Sequence, residues 1–433
     1  MTIEQAKQRA HAARSGQRSL ARASGAQRSR VLEQLATLLE VRSQDLLAAN
    51  QKDLDSALKQ GLAAPLMARL SLTEKKLMTL IQGVRELANR ADPLGQTLRR
   101  TELDTDLELR QVSSALGVLL VIFESRPDAV IQIGSLALRS GNAALLKGGS
   151  EALWSNRALV ACLRDALSKE QLNNDAIIGI EGREAVQSLL QQDQLIDLVI
   201  PRGSGKLVRS IQDTTRIPVL GHAEGICHTF IDAAADLNMA IKLSVDGKCD
   251  YPAACNATET LLVHQSFLPH LPALGSALLQ QGVELRCDQR ARELLPKSLV
   301  AEARDWATEY GDLRLSIRVV NNVEQAIEHI HHYGSGHTEV IVTEDPVAAA
   351  CFLAEVDAAS VFHNASSRFA DGFRYGMGAE VGISTSRIHA RGPVGVEGLL
   401  THRWLLRGKG QGAAEYSSGE RSFQHRELPL SSD

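Results

Sequence analysis

The cysteine at position 255 is the residue whose type and neighbours point most directly to chemistry. It lies in DYPAACNATETLL (residues 250–262), after a helix-like stretch and just before a β-prone run. A thiolate is a strong nucleophile, and part of an ordinary cysteine is already ionised at neutral pH. The small residues Ala253 and Ala254 leave the sulfur and the N–H of Cys255 unobstructed. Cys255 is therefore a candidate nucleophile, with the alternative that it is a small buried apolar side chain.

A second chemical signal is VIPRGSGKLV (residues 199–208), which ends like a phosphate-binding P-loop. The P-loop pattern requires a glycine at position 200 and a hydroxyl at position 207, but this chain has Ile200 and Leu207. A P-loop triphosphatase is therefore excluded. What is left is a buried strand, the turn Gly203-Ser204 and a helical stretch. Such a turn can aim a helix N-terminus at an anion, or it can be an ordinary strand-to-helix connection.

Four histidines stand close together in EHIHHYGSGH (residues 328–337), and such clusters can bind a metal ion. Two of them, His329 and His332, share one face of a predicted helix, whereas His331 and His337 do not extend that face. No carboxylate–histidine motif such as HExxH accompanies them, and a solvated helix end accounts for them better. We therefore predict that the protein has no metal site.

Composition limits the class of protein. The chain has 433 residues, of which 44% are hydrophobic, and this suits two or three globular domains. The formal net charge of −4, without a basic stripe, argues against nucleic-acid binding. No signal-peptide core and no run of 18 apolar residues occur, so we expect a cytoplasmic protein that does not bind membranes. The six cysteines form no CxxC pair and are predicted to be free thiols.

The order of the predicted elements indicates an α/β protein. Residues 1–92 read as helices, and residues 96–115 alternate polar and apolar side chains, as an exposed two-stranded excursion would. Continuous apolar runs separated by helical stretches then predict a parallel sheet covered on both faces. A second such series begins near residue 240. We therefore expect two α/β lobes with a ligand cleft between them and a hairpin-like insertion.

Several motifs together resemble the aldehyde dehydrogenase superfamily in order and spacing. They are SGNAALLKGGSEA (140–152), LVIPRGSGKL (198–207), VLGHAEGICHTFIDAAAD (219–236) and CNATETLL (255–262). Longer stretches are similar to the superfamily members that reduce L-glutamate 5-phosphate: FESRPDA (123–129), FHNASSRFADGFRYGMGAEVGIST (362–385) and IHARGPVGVEGLLT (388–401). The resemblance covers about residues 10 to 410.

The resemblance implies an aldehyde dehydrogenase-like fold with two parallel-sheet lobes, one for the cofactor and one for catalysis, and a small β flap for oligomerisation. We expect the NADP-binding domain at 1–100 and 117–246, and the catalytic domain at 247–401. The flap is then expected at 101–116 and 402–411, and a disordered tail at 412–433, where the composition is polar.

The resemblance also assigns cofactor residues. Lys147 matches the lysine that reaches the adenosine ribose, and Gly203 and Ser204 match the turn that faces the pyrophosphate. Ser150 stands where NAD-preferring relatives place a ribose-binding glutamate, which leaves room for a 2′-phosphate and implies NADPH. Glu309 matches the glutamate that holds the nicotinamide ribose. The cofactor implied is NADPH/NADP.

The same resemblance implies a mechanism. Cys255 attacks the γ-carbonyl of L-glutamate 5-phosphate, phosphate leaves, and NADPH reduces the thioester to L-glutamate 5-semialdehyde, the second step of proline biosynthesis. The N–H of Cys255 and a second donor stabilise the oxyanion, with Asn256 or the Ser125-Arg126 loop as alternatives. Hydrolytic relatives carry a glutamate base in this region, but here Glu224 is displaced from that position, which suits a reductase whose thioester must avoid water.

Substrate recognition is assigned to the segment NASSRFADG. We predict that its donors hold the α-carboxylate, that Asp371 holds the α-ammonium, and that Arg126 suits the departing phosphate better. The alternative for Arg368 is an ion pair with Asp371 or Glu380 that stiffens the loop. The predicted carboxylate donors are Asn364, Ser366, Ser367 and Arg368.

Partners and competing functions complete the predictions. We expect a homo-oligomer and, because the chain has no kinase domain, a transient contact with glutamate 5-kinase. The first alternative is a related superfamily enzyme that acts on another acyl phosphate or on an aldehyde. The second is a superfamily member that has lost activity and serves as a binding protein, although it retains Cys255, Lys147 and Ser204.

Overall fold

The amino-terminal region is helical, as its periodicity predicts. The computed structural model describes residues 1–203, 205–221 and 224–430. The apolar stripe on the second helix is buried, including Val31 and Leu35, and Ser24 caps the start of that helix. No helix among these described residues is both long enough and apolar enough to cross a membrane. The first five helices are α1 (Ile3–Arg22), α2 (Gly25–Val41), α3 (Ser43–Lys59), α4 (Ala64–Leu70) and α5 (Glu74–Ala88).

Two strands and a first parallel sheet follow. The predicted excursion is the antiparallel pair β1 (Thr97–Asp104) and β2 (Leu107–Ala115). The sheet has the order β5-β4-β3-β6, and its apolar strands are buried between helices. Its strands are β3 (Val118–Phe123), β4 (Ala143–Lys147), β5 (Ile177–Gly179) and β6 (Leu198–Arg202). Its helices are α6 (Asp128–Arg139), α7 (Leu153–Lys169), α8 (Glu184–Leu189) and α9 (Gly205–Thr214).

A second parallel sheet has its own apolar core. Its order is β10-β9-β11-β8-β7-β12-β13. The strands are β7 (Cys227–Ile231), β8 (Thr258–His264), β9 (Glu284–Cys287), β10 (Leu299–Val300), β11 (Arg314–Val320), β12 (Thr338–Val342) and β13 (Ser360–His363). The helices are α10 (Leu237–Cys249), α11 (Leu271–Gln280), α12 (Gln289–Leu294), α13 (Val323–Tyr333) and α14 (Pro346–Glu355).

The boundary between the lobes differs from the predicted one at residue 246. Strand β7 already belongs to the second sheet, so that lobe begins before residue 227. Sequence reasoning missed this strand because CHTFI includes two polar residues, His228 and Thr229. Both are buried in the structure through hydrogen bonds, His228 to Glu339 and Thr229 to Thr258. In contrast, the apolar run that begins at Ile217, one of the runs for which the sequence predicts a strand, contributes over its described residues 217–221 an isolated bridge from Val219 to Val199.

The carboxyl-terminal region completes the flap. After the short pair β14 (Ile383–Ser384) and β15 (Gly392–Pro393), β16 (Leu400–Arg407) crosses back and pairs with β2. The chain then forms α15 (Ala413–Ser417) and β17 (Arg426–Glu427), which pairs with β1 and gives the flap sheet the order β16-β2-β1-β17.

The sequence predicts a disordered carboxyl-terminal tail, but the structure shows an ordered segment up to residue 430 that contains α15 and β17. Its polar side chains find a specific acceptor, because Tyr416 and Arg421 each donate to Asp104 at 3.0 Å and Gln424 donates to it at 3.2 Å. The hydrogen bonds from the Thr105 N–H, Tyr416 and Arg421 lower the pKa of Asp104, and the bond from Thr105 has the largest effect. The acceptor lies more than 300 residues away in sequence, so composition alone could not reveal it.

A pair of helical glycines tests how the first lobe packs. A Cβ at Gly16 of α1 would lie 2.1 Å from the backbone nitrogen of Ala176, whereas a Cβ at Gly83 of α5 has no atom within 4 Å. Alanine is about 1 kcal/mol better than glycine inside a helix. We therefore expect Gly83→Ala to stabilise the protein slightly, and Gly16→Ala to destabilise it by about 1–3 kcal/mol through overpacking. Thermal unfolding of both variants checks this, and equal stabilisation would contradict the packing.

Candidate functional site

Cys255 lies at a cavity of about 530 Å³ between the two lobes. The first lobe lines it with Ser125, Arg126, Arg202 and Gly203, and the second with Cys255, Asn256, Glu309, Arg368 and Asp371. Two turns, in which Ala254 N bonds to Tyr251 O and Ala257 N bonds to Ala254 O, shape the loop before β8. The cleft that the sequence predicts between two lobes is therefore present, and most of the predicted site residues meet there.

A glycine lets a second segment lie directly against the cysteine. A Cβ at Gly225 would be 2.1 Å from the carbonyl oxygen of Cys255 and 2.7 Å from its Cα, so no larger residue fits without a shift. On the same side, the Sγ of the buried Cys227 donates to the Cys255 carbonyl at 3.2 Å. The backbone of Cys255 is thus fixed from the start of β7, while its side chain is left half-buried at the cavity.

The closest polar partner of the cysteine is a histidine that sequence reasoning did not connect with it. His337 is buried, and its Nε2 lies 3.2 Å from Cys255 Sγ. Its Nδ1 lies 2.8 Å from Thr338 Oγ1, which fixes the plane of the imidazole ring. The sequence did contain a signal, because both residues come just before strands, and starts of parallel strands meet at one edge of a sheet.

The other members of the histidine cluster point elsewhere. His329 is buried, and its Nδ1 accepts a hydrogen bond from Arg318 at 2.8 Å. Burial lowers the pKa of His329 to about 2, with repulsion from His228 and Arg318 adding to the effect. His331 accepts from the N–H of Asp357 at 3.3 Å. In the part of the chain that the structure describes, no three His, Cys, Asp or Glu side chains are grouped as metal ligands.

The two predicted alternatives for the second oxyanion donor are not equally placed. Asn256 is buried, and its Nδ2 donates to Ala370 O at 2.9 Å. The N–H and the hydroxyl of Ser125 both donate to Glu151 Oε1, at 2.6 and 2.7 Å. Arg126 follows Ser125 and lines the cavity, and no carboxylate among the described residues forms an ion pair with it. Asn256 and Ser125 are thus each bonded to other groups of the protein, whereas Arg126 is not paired in this way.

The predicted substrate loop divides into two groups. Arg368 and Asp371 line the cavity. Asn364 instead bonds to both backbone groups of Thr343, Ser366 accepts from the Arg368 N–H, and Ser367 bonds to Thr258. The last three side chains hold the loop in shape.

Arg368 has a different ion-pair partner from the one suggested by the sequence. Its Nε donates to Asp250 Oδ2 at 3.2 Å, where the predicted alternative was Asp371 or Glu380. Arg374 donates to the same carboxylate oxygen at 3.1 Å, and both arginines lower the pKa of Asp250. The guanidinium carbon of Arg368 also lies 5.9 Å from the centre of the Tyr251 ring. Arg368 is thus held beside the cavity by residues that directly precede the Cys255 loop.

A second cavity of about 700 Å³ adjoins the first, with Glu124 and Ser125 common to both. Lys147 and Ser150 line it together with Gly148, where a Cβ would lie 2.2 Å from Asn156 Nδ2. Burial lowers the pKa of Lys147, whose Nζ donates to Gly148 O at 2.8 Å. Gly203 and Glu309 line the first cavity instead, and Ser204 lies outside the described residues.

Comparison with known proteins gives a consistent result. The aldehyde dehydrogenase family model matches residues 1–282. A γ-glutamyl phosphate reductase from a Cyanothece species is 54% identical over 421 residues, which cover 97% of each chain. The reductase of the same name from Synechococcus elongatus is 51% identical, covering 96% of this chain and 97% of that protein.

Solved structures agree with these sequence relatives. The crystal structure of γ-glutamyl phosphate reductase from Thermotoga maritima has a TM-score of 0.92 and 37% identity, covering 94% of this chain and 99% of that one. A glyceraldehyde-3-phosphate dehydrogenase from Methanocaldococcus jannaschii, complexed with NADP, shares the fold at a TM-score of 0.68 and 16% identity, covering 94% and 95%. The chain therefore belongs to the aldehyde dehydrogenase family, and within it to the γ-glutamyl phosphate reductases.

Proposed function

We propose that this enzyme reduces L-glutamate 5-phosphate to L-glutamate 5-semialdehyde with NADPH and releases phosphate, the second step of proline biosynthesis. The observation that carries the proposal is the 3.2 Å contact between the Sγ of Cys255, which lines the interlobe cavity, and the Nε2 of the buried His337. A cysteine paired with a base is an activated nucleophile for an acyl group. The names of the relatives supply the substrate class, and arginines from both lobes suit a substrate that carries a phosphate and a carboxylate.

In this mechanism His337 takes the thiol proton on Nε2, and the Cys255 thiolate attacks the γ-carbonyl carbon. Thr338 keeps the ring oriented, since Nδ1 bonds to its hydroxyl. The backbone N–H of Cys255 and the guanidinium of Arg126 are the candidates for stabilising the oxyanion. Phosphate then leaves, and a thioester remains on Cys255.

The thioester must be protected from water, and the residues near it are consistent with that need. Glu224, the carboxylate displaced from the position of a hydrolytic base, forms an ion pair with Arg209 at 2.5 Å. The ion pair occupies this carboxylate, so Glu224 is poorly placed to activate water at the thioester.

The second cavity fits a phosphorylated nicotinamide cofactor. Lys147 supplies a cation beside Ser150, an exposed small residue that adds no negative charge of its own, and glycine at position 148 leaves room for the side chain of Asn156, which also lines the cavity. Gly203 and Glu309 extend the lining toward Cys255. When bound, NADPH supplies the hydride that reduces the thioester. The collapse of the resulting hemithioacetal returns the thiolate to Cys255.

Arg368 and Asp371 are the residues that we propose recognise glutamate itself. They line the cavity on the side of the second lobe, one cationic and one anionic, as the α-carboxylate and α-ammonium require. The ion pair of Arg368 with Asp250 uses its Nε, so its terminal nitrogens are the groups available for the substrate. The alternative is an enzyme that acts on another acyl phosphate or on an aldehyde. Such an enzyme would not need Arg368 and Asp371 to bind its substrate.

We further propose that the enzyme is a homo-oligomer whose subunits associate through the flap. Strand β16 is an edge of the flap sheet, and its side chains Trp404 and Leu406 are 49% and 58% exposed. An exposed edge strand with large apolar side chains is a ready surface for pairing with another chain. A transient contact with glutamate 5-kinase remains a proposal drawn from the instability of acyl phosphates.

The function is tested in the reverse direction, by NADP⁺ reduction with glutamate semialdehyde and phosphate. The unmutated protein should be active, and Cys255→Ser should lose about 10⁴-fold or more of kcat, because serine is a far weaker nucleophile even beside His337. Cys351→Ser, at a partly buried helix position away from the cavity, is the matched control. If the Cys255 variant retains a tenth of the activity, the covalent mechanism is wrong.

The role of His337 is tested without turnover. We expect His337→Gln to slow alkylation of Cys255 by iodoacetamide at pH 7 by roughly tenfold or more, and to move its pH profile upward, because the imidazole no longer takes the proton. Mass spectrometry of the Cys255 peptide separates this thiol from the others. His332→Gln, on the exposed side of α13, should leave the profile unchanged. An unchanged profile in both variants would remove His337 from the mechanism.

Cofactor choice is tested at Ser150. NADPH should be used more efficiently than NADH, and Ser150→Glu should narrow or reverse that preference, because a carboxylate repels the 2′-phosphate and accepts hydrogen bonds from a free ribose hydroxyl. The ratio of kcat/KM values for the two cofactors measures the effect. Equal ratios in the unmutated enzyme and the variant would show that Ser150 does not face the ribose.

A further inference from the structure

Arg202 is a charged residue of the cavity to which neither the motifs nor the mechanism above assign a role. It ends β6, and its Nε lies 3.7 Å from where a Cβ on Gly382 would be. Its Nη1 donates to the carbonyl oxygen of Glu380 at 3.4 Å, which is a weak bond. In the described part of the chain, no carboxylate lies within ion-pair distance of Arg202. A half-buried guanidinium is thus left with most of its donors directed into the cavity.

Arg126 is a second arginine at the carboxyl end of a strand in the first parallel sheet. It follows β3, and β3 pairs in parallel with β6 so that Phe123 lies opposite Arg202. The two arginines therefore leave the carboxyl ends of neighbouring strands. They are close enough that Arg126 contributes, after burial, to lowering the pKa of Arg202, while Glu380, Cys255 and Asp128 oppose the shift without forming an ion pair with Arg202. Arg126 also has no ion-pair partner within the described ranges.

Two neighbouring cations without a carboxylate partner are unfavourable in a partly dehydrated cavity, and an anion bound between them removes that cost. The cavity they line also contains Cys255, so the anion would stand next to the nucleophile. Guanidinium groups match the oxygens of phosphate through paired hydrogen bonds. Arg368 is less suited to this task, because its Nε is already paired with Asp250 and its terminal nitrogens are the groups proposed to bind the α-carboxylate.

We propose that Arg126 and Arg202 form the binding site for the phosphoryl group of the substrate and for the inorganic phosphate that leaves. The proposal rests on the function proposed above and names the residues that serve its leaving group. When the Cys255 thiolate forms its bond to the γ-carbon, the bond from that carbon to the bridging oxygen breaks and its electron pair goes to phosphate. The proton taken from the thiol ends on the released phosphate, so charge and atoms balance.

The position of these arginines also explains how the Cys255 thiolate can approach a substrate that is itself an anion. The thiolate and the acyl phosphate repel each other, and cations beside the phosphate offset this repulsion as the sulfur approaches. In the reverse direction the same groups would hold inorganic phosphate ready to attack the thioester. The site should therefore govern the apparent affinity for phosphate more than the affinity for the aldehyde.

The test compares Arg202→Gln, Arg202→Lys and Arg126→Gln with the unmutated enzyme in the reverse reaction. Each glutamine variant should raise the KM for phosphate by roughly 30-fold or more while changing the KM for glutamate semialdehyde by less than about threefold, since a charge-assisted contact is lost. Arg202→Lys should recover part of the loss. Arg304→Gln, at an exposed arginine that lines neither cavity, is the control and should keep both constants.

Calorimetric titration of the protein with inorganic phosphate gives a readout independent of turnover, and binding should weaken in both glutamine variants. If the unmutated chain does not carry out the reverse reaction, the proposed function fails, and this titration alone still decides the site. Equal rises in both KM values would assign Arg202 to the α-carboxylate, and a loss confined to NADP⁺ binding would assign it to the pyrophosphate. Either result, or unchanged phosphate binding, overturns the proposal. If Arg202→Gln does not fold, Arg126→Gln decides.

Discussion

The contact between His337 and Cys255 depends on the pairing of three parallel strands. β7 lies between β8 and β12 in the second sheet, and each of these strands begins at or just after a residue of the site. Cys227 opens β7, His337 precedes β12, and Cys255 lies three residues before β8. Because parallel strands start at the same edge, residues more than 80 positions apart come within 3.2 Å. A shift in this pairing would separate sulfur and imidazole.

The interior of that sheet is unusually polar, and its charges are paired. Lys248 and Glu259 are fully buried and lie 2.6 Å apart, and His228 bonds to Glu339 at 2.9 Å. Burial raises the pKa of Glu259 to about 7 even though Lys248 opposes the shift. Removing one partner of such a pair leaves an uncompensated buried charge, which is strongly destabilising. The first pair therefore ties α10 to β8, and the second ties β7 to β12.

The first lobe contributes to the site by a different arrangement. Its strands β3 and β6 end at the cavity, and the loops that follow them carry Arg126 and Gly203. The second lobe presents the beginning of its strand β8, with Cys255, to the same space. One lobe thus supplies cations and the turn that we propose binds the cofactor, and the other supplies the proposed nucleophile and the histidine beside it. Chemistry is possible only where the two sheets face each other.

Much of this protein follows from its sequence alone. Apolar runs such as LGVLLVIF and LRLSIRVV become buried strands, because hydrophobic burial depends mainly on local composition and period. Motif order was enough to indicate the aldehyde dehydrogenase fold, which the comparisons confirm, and to single out Cys255. These features are encoded in contiguous stretches of a few to about twenty residues.

Tertiary structure decided the features that depend on distant partners. CHTFI becomes a strand because Glu339 and Thr258 satisfy its polar side chains, and the polar tail is ordered because Asp104 accepts its donors. His337 stood in a sequence cluster that suggested metal binding, and only strand pairing places it against Cys255. The spacing of apolar residues in the sequence predicts which side chains are buried. The energy of a hydrogen bond or ion pair depends instead on which two groups come into contact in the folded chain. That information is fixed only when the chain has folded.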